Sequence, residues 1–245
     1  FVSTESKVAT LNRRIASLSS LFRFLGIQDH TKHTDVFLLL KKIKRQKGSA
    51  QIQAEPLTRD MIKKLSPFVG DGLTGMRNLV LLHLGHQTMR RRSELCKFTF
   101  SDLCVLPGGR YAIKLRFSKT DQEGKGKLLP IDTQTFDLLM RWQQEMKRNN
   151  VCDACSDSDF ILRGILGATH ITASLSPNSV NRILQDIQAR AGIITSVPFS
   201  GHSFRVGGAL DLLMDGMSME KIMLRGGWQS ESTVMRYLRA WDLLT

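Results

Sequence analysis

Three stretches of this chain gather side chains that can handle a phosphate. Arg90, Arg91, Arg92 and Glu94 stand in TMRRRSELCKFTFSDL, 88–103, and Lys119 in RFSKTDQEGKGKLLPI, 116–131. His202, Arg205, Trp228 and Tyr237 stand in GHSFRVGGALDLLMDGMSMEKIMLRGGWQSESTVMRYLRAW, 201–241. A guanidinium is planar and permanently charged, so two of them can clamp the non-bridging oxygens of a phosphodiester without a metal. A tyrosine hydroxyl titrates near pH ~10 and attacks only with help from a base or from cationic surroundings. A histidine can take or give a proton near neutral pH. A cationic lysine can protonate a departing oxygen. The indole of a tryptophan can only donate a hydrogen bond.

Each residue also has a plainer reading. The arginine run could be one solvated basic patch, Lys119 a turn lysine like Lys125 or Lys127, His202 a structural histidine and Trp228 simple core. Spacing weighs against these. His202 and Arg205 fall one turn apart, and on a helix Glu94 at i+3 shares the face of Arg91, leaving Arg90 and Arg92 off that face. Tyr111 lies in a strand-like run and reads as structural. His83 and His86, one turn apart in an apolar helix, read as packing residues.

Taken together, R-R-S-E-L, S-K-T, G-H-S-F-R-V-G-G-A and G-G-W, with a tyrosine nine residues after Trp228, resemble the tyrosine site-specific recombinases, the phage-type integrases. The third segment is most similar to their Cre-like branch. The resemblance covers about 56–241, and 1–55 more weakly. It implies that Arg91 and Arg205 are the catalytic arginines, Lys119 the catalytic lysine, His202 the catalytic histidine and Tyr237 the nucleophile. Trp228 fills a position that is His in most of the family and Trp in the Cre-like branch, and Glu94 matches an acidic position that supports the site. The implied reaction makes a 3′-phosphotyrosine and a free 5′-hydroxyl, proceeds through a Holliday junction and needs no cofactor. A topoisomerase or telomere-resolving enzyme shares the Tyr-and-two-Arg chemistry, but GHSFRVGGA and GGW fit recombinases better. A DNA-binding protein that has lost catalysis is the rival from another class, and the intact residue set argues against it.

The elements that must position these residues read as mainly α with a small antiparallel β-sheet. Val8, Leu11, Ile15, Leu18, Phe22 and Leu25 alternate steps of three and four, so 8–25 is an amphipathic helix stopped by Gly26. A second helix over about 35–45 ends in Lys41, Lys42, Lys44 and Arg45, which suits a phosphate backbone. This pair reads as the end of a helical clamp domain whose beginning is absent. KGSAQIQAEPL reads as a linker, dividing the chain into 1–50 and a catalytic domain over 51–245. Helices are expected over about 58–66 and 72–97, strands over 103–106, 111–117 and 127–131, and a helix capped by Asp132. Ser176-Pro177 opens a helix with the buried stripe Val180, Ile183, Leu184, Ile187 and Ala191. Its polar residues Asn178, Asn181 and Arg182 lie off that stripe and are candidate readers of base edges in a major groove. Three more helices are expected over about 203–215, 218–225 and 231–241.

The charge agrees with a nucleic-acid partner. Thirty-five Lys and Arg against 22 Asp and Glu give a formal +13. Such an excess favours a polyanion, because each neutralised phosphate releases condensed counterions. Cys152 and Cys155 form a lone CxxC without further ligands at zinc spacing, so no metal is expected and the thiols read as free. No apolar run reaches the roughly 18 residues of a membrane span, and the N-terminus is not a signal peptide. The expected setting is a bacterial cytoplasm at the nucleoid, with a phage or plasmid origin. The expected partner is duplex DNA with inverted half-sites, bound by a homotetramer in the full-length protein. Only eight residues follow Tyr237, so this chain is expected to be a monomer off DNA.

Overall fold

A computed structural model describes residues 6–48, 53–116, 126–149, 159–167 and 170–238. The chain falls into two compact units, Phe1–Ile52 and Gln53–Thr245.

The first unit is a helical pair. Helix α1 (Val8–Phe24) and helix α2 (Thr34–Lys47) bury only Val8, Leu11 and Ile43 against each other. Two helices cannot enclose more. Several other apolar side chains stay on the surface, Phe24 at 87% and Phe37 at 63% exposure. Lys41, Lys42, Lys44 and Arg45 are all exposed on the last turns of α2.

The second unit is mostly helical. Helix α3 (Arg59–Leu65) is capped by Thr58, whose hydroxyl accepts from the Met61 N–H. Helix α4 (Gly72–Thr88) is buried through much of its length. It does not run on to 97, as its composition suggests. Met89 takes a left-handed conformation, φ 50°, and turns the chain. The next helix, α5, is a single turn over Arg92–Leu95. A left-handed non-glycine residue ends a helix because its carbonyl no longer points along the axis.

Strands β1 (Leu103–Leu106), β2 (Arg110–Leu115) and β3 (Lys127–Ile131) form an antiparallel meander in the order β1-β2-β3. Pairings run from Leu103 with Ile113 to Leu106 with Arg110, and from Tyr111 with Ile131 to Leu115 with Lys127. Helix α6 (Thr133–Arg148) starts at Asp132, which accepts from the Thr135 N–H at 2.7 Å. It lays Leu138, Leu139, Trp142 and Met146 into the main core. A two-stranded ribbon of β4 (Ile165–Leu166) and β5 (His170–Ile171), too short for a periodic signature, was not expected. Helix α7 (Pro177–Arg190) buries Val180, Ile183, Leu184 and Ile187, four of the five residues of the stripe read from the sequence; Ala191 is its C-cap and only half-buried. Helices α8 (Ser203–Met214), α9 (Met219–Gly226) and α10 (Glu231–Leu238) complete the unit. They share a second core around Met89, Leu210, Ile222, Trp228, Val234 and Leu238.

No helix among the described residues is long and apolar enough to cross a membrane. Cys152 and Cys155 lie outside the described residues, as does Lys119.

Candidate active site

The break at Met89 shapes the arginine run. Once α4 has ended, Arg90, Arg91 and Arg92 no longer share helical spacing, so the helix-face argument does not apply to them. Arg90 is 2% exposed and points into the protein. Its Nε donates to the Thr88 carbonyl at 2.8 Å, and its Nη2 to the Arg225 carbonyl at 2.6 Å. It therefore ties the segment after α4 to the last turn of α9. Arg90 is thus not part of a solvated basic patch. Arg91 is the residue before α5 and is about a third exposed. Glu94, nearly buried, accepts from Arg91 Nη1 at 2.9 Å and from the Arg91 N–H at 3.3 Å. The carboxylate thus orients both the side chain and the main chain of Arg91. Arg92 is exposed.

Helix α8 brings the next pair. His202 immediately precedes it and Arg205 sits in its first turn. Arg205 is 3% exposed and donates from Nη1 to the Met89 carbonyl at 2.7 Å. The chain reversal at Met89 is what aims that carbonyl at Arg205. The guanidinium also lies 4.6 Å from the centroid of the Trp228 ring, in cation–π range. Trp228 is a core residue of the α8–α10 cluster as well as a neighbour of the site, so its two readings are compatible.

Tyr237, on α10, packs its ring edge-on to His202 with centroids 5.0 Å apart, and lies 6.2 Å from the Trp228 ring. A small open cleft of about 290 Å³ is lined by Arg91, Arg92, Asn181, Ser200, Gly201, His202 and Arg205. The structure therefore assembles Arg91, Glu94, His202, Arg205, Trp228 and Tyr237 from four separate segments into one place.

The electrostatics of this cleft are those of concentrated positive charge. Burial, then the neighbouring Arg90 and Arg91, pull the pKa of Arg205 down to about 10. Burial also brings Arg90 down to about 10, partly offset by Glu94. His202 is a solvent-exposed residue overall, yet the protein packed against its imidazole, followed by Arg205 and Arg91, lowers its pKa below the usual histidine value. It is thus neutral at neutral pH, able to accept a proton through a ring nitrogen. Like charges held together raise the energy of the cationic forms, and an anion in the cleft would relieve it.

Of the other expected residues, Asn181 lines this cleft and the rest fall elsewhere. Asn178 and Arg182 are exposed on α7. Asn181 is half-buried, and its Oδ1 accepts from the Gly201 N–H at 3.0 Å. That oxygen holds the turn before His202. Lys41, Lys42, Lys44 and Arg45 belong to the first unit. His86 is not mere packing: its Nε2 lies 2.6 Å from Asp211 Oδ2, joining α4 to α8. That pair sits in a larger cleft of about 700 Å³, which none of Arg91, His202 and Tyr237 lines. Among the described residues no group of His, Cys, Asp and Glu is arranged to hold a metal ion.

Comparison with known proteins agrees with this geometry. The phage integrase family profile matches residues 55–242. Recombinase Cre of Escherichia phage P1 is 26% identical over 259 residues, covering 96% of this chain and 71% of that protein. An integrase/recombinase XerD homolog of Selenomonas ruminantium is 28% identical over 244 residues, covering 96% and 69%. The Tn1549 transposon integrase, solved in complex with transposon right end DNA, shares the fold with a TM-score of 0.61. It is 16% identical, covering 95% of this chain and 75% of that one. With the matched profile spanning Arg91, His202, Arg205 and Tyr237, the chain belongs to the phage integrase family, the tyrosine recombinases.

Proposed function

We propose that this chain cuts and rejoins duplex DNA at specific sites through a covalent bond to Tyr237. The observation that carries this is the placing of Tyr237 against His202, beside a cleft lined by Arg91 and Arg205. In the proposed step the Tyr237 oxygen attacks the scissile phosphorus and its proton passes to a base, for which neutral His202 is the nearest candidate. The bond from phosphorus to the 5′ oxygen breaks, leaving a 3′-phosphotyrosine and a 5′-hydroxyl. Arg91 and Arg205 stabilise the non-bridging oxygens as negative charge builds. Trp228 packs against Arg205 and backs the tyrosine. Lys119, assigned from its S-K-T context, protonates the leaving oxygen. A 5′-hydroxyl from a partner duplex then attacks the phosphotyrosine and restores the phosphodiester. Two such rounds pass through a Holliday junction. The covalent bond conserves the energy of the phosphodiester, so ATP is not required.

The substrate reading rests on the +13 charge and on the DNA carried by the Tn1549 integrase complex. In this reading the first unit, about residues 1–50, is the end of a clamp domain, and its Lys41, Lys42, Lys44 and Arg45 hold phosphates. Asn178 and Arg182 are the better placed candidates for base contacts, both being exposed on the first turns of α7. Inverted half-sites would seat two protomers and a pair of sites four, with a monomer off DNA. The setting is a bacterial cytoplasm.

A nicked half-site duplex, from which the short cleaved strand diffuses away, traps the covalent adduct and tests the reading. Wild type should form a protein–DNA band stable to denaturant. Tyr237→Phe should bind the same duplex in a gel shift and form none. An adduct surviving in Tyr237→Phe would move the nucleophile elsewhere. Binding without any adduct in wild type would favour a DNA-binding protein without catalysis.

A further inference from the structure

The chain enters its second unit along residues 53–58, a segment whose composition suggests a loose linker. It is instead fastened at several points to the elements of the site. Leu57 is fully buried, and its N–H donates at 3.0 Å to the carbonyl of Ser203, the residue after His202. The strap approaches α8 so closely that a Cβ on Gly207 would lie 2.0 Å from the Leu57 carbonyl oxygen. Ser196 Oγ donates to Glu55 Oε1 at 2.5 Å. At the start of the strap, Gln53 Nε2 donates at 2.6 Å to the main-chain carbonyl of Tyr237.

We infer that Gln53 is a positioning residue for the nucleophile, its amide fixing the main chain of Tyr237 through a strap bolted to the helix that carries Arg205. This rests on the reading of Tyr237 as nucleophile and deepens it. The attacking oxygen must sit in line with the bond that breaks, and a misplacement of about 1 Å can cost on the order of 100-fold in rate. Tyr237 lies on the third helix after His202 in the chain, and although α8 and α10 share a core, the placement of one residue near the end of α10 gains from further braces. Trp228 supplies one on the side-chain side, through its contacts with Arg205 and Tyr237. Gln53 supplies the other on the main-chain side. Because Gln53 gives one donor to one carbonyl, the requirement is for an N–H at that point, and charge or bulk is secondary.

The experiment compares the full chain with Gln53→Ala, Gln53→Glu and Gln53→Lys. Three quantities are read: the affinity for a nicked half-site duplex, the single-turnover rate of adduct formation at saturating duplex, and hydrogen–deuterium exchange of the peptide covering 231–238. Gln53→Ala should bind DNA as wild type does, form adduct about 3- to 10-fold more slowly, the rate equivalent of one ordinary hydrogen bond, and exchange faster over 231–238. Gln53→Glu keeps the shape but turns an acceptor toward the carbonyl, so it should lose at least as much. Gln53→Lys keeps a donor and should recover most of the rate and of the protection. The inference is overturned if Gln53→Ala keeps wild-type rate and exchange, if its loss lies wholly in DNA affinity, or if Gln53→Glu outperforms Gln53→Lys. Failure of the recombinase reading looks different, because wild type then forms no adduct while the exchange series still decides whether Gln53 anchors the Tyr237 segment.

Discussion

Adjacent arginines at 90 and 91 should fail in opposite ways when truncated. Arg90 is buried and gives two hydrogen bonds from a charged donor, to the Thr88 and Arg225 carbonyls. Such bonds contribute about 1.5–3 kcal/mol each, and Arg90→Ala strands both acceptors. Part of the loss is offset, because a guanidinium whose pKa burial has lowered to about 10 no longer has to be held inside the protein. A net loss of about 2–4 kcal/mol follows, which at roughly 2–4 °C per kcal/mol for a unit of this size lowers Tm by about 5–15 °C. Arg91 is different. It is about a third exposed and its side chain has one ion-pair partner, Glu94. After Arg91→Ala the Glu94 carboxylate still accepts from the main-chain N–H of residue 91, so Tm should fall by only a few degrees. The rate of adduct formation should fall about 100- to 1000-fold, the usual effect of removing one transition-state donor. Differential scanning fluorimetry and single-turnover cleavage, measured well below the melting range, separate the two quantities. The reasoning fails if Arg90→Ala melts like wild type while losing as much rate as Arg91→Ala. It fails equally if Arg91→Ala loses stability and keeps its rate.

Two further outcomes are expected. The pKa of His83 is lowered, mainly by burial, and that of His202 likewise, so the folded state binds fewer protons than the unfolded state below the ordinary histidine value near pH ~6.5. The stability tied to these groups is complete above that pH and is lost as pH falls through it; urea midpoints should therefore drop between pH ~7.5 and ~5.5, and His83→Gln should flatten the slope, whereas an unchanged slope would exclude burial of His83 as its source. Lys119→Ala should cleave a bridging 5′-phosphorothiolate far better than an ordinary phosphodiester, since that leaving group departs without a proton; the absence of preferential rescue would assign the general acid to another group, with His202 next.

Some of this was legible in the sequence and some could not be. Apolar spacing located α1, α6 and α7, and the buried stripe of α7 falls on four of the residues read from that spacing. Arg91, His202, Arg205 and Tyr237 stand out in the sequence through their resemblance to a family motif, and the structure brings them close together. The missed features share a different character. Met89 has no local reason to turn left-handed; it does so in a site where it is 1% exposed and its carbonyl meets Arg205, 116 residues away. His86 meets Asp211 across 125 residues, and Gln53 meets Tyr237 across 184. Each is a single polar contact over a long separation, with no period to reveal it. Asn181 has a contact that the sequence likewise does not show. A polar residue off a buried stripe can face a loop of its own chain as well as a ligand, and the Gly201 N–H took its oxygen.

The segment GHSFRVGGA shows how architecture and chemistry share one helix. Nine of the twelve residues of α8 are buried, so a helix with almost no solvent face offers no amphipathic pattern to read. Its two glycines look like a weakness, since each costs about 1 kcal/mol against Ala inside a helix. The structure gives a use for both. Gly207 admits the Leu57 carbonyl, and a Cβ on Gly208 would lie 2.5 Å from Met89 Cγ. The two absent side chains therefore let the strap and the Met89 turn press against the same helix that carries Arg205. The strap then reaches Tyr237, and the turn sets Arg91 beside the cleft while its carbonyl holds Arg205. Close packing at two helix positions without side chains thus fixes the relative placement of the two arginines and the tyrosine, which is the condition that attack on a phosphodiester imposes.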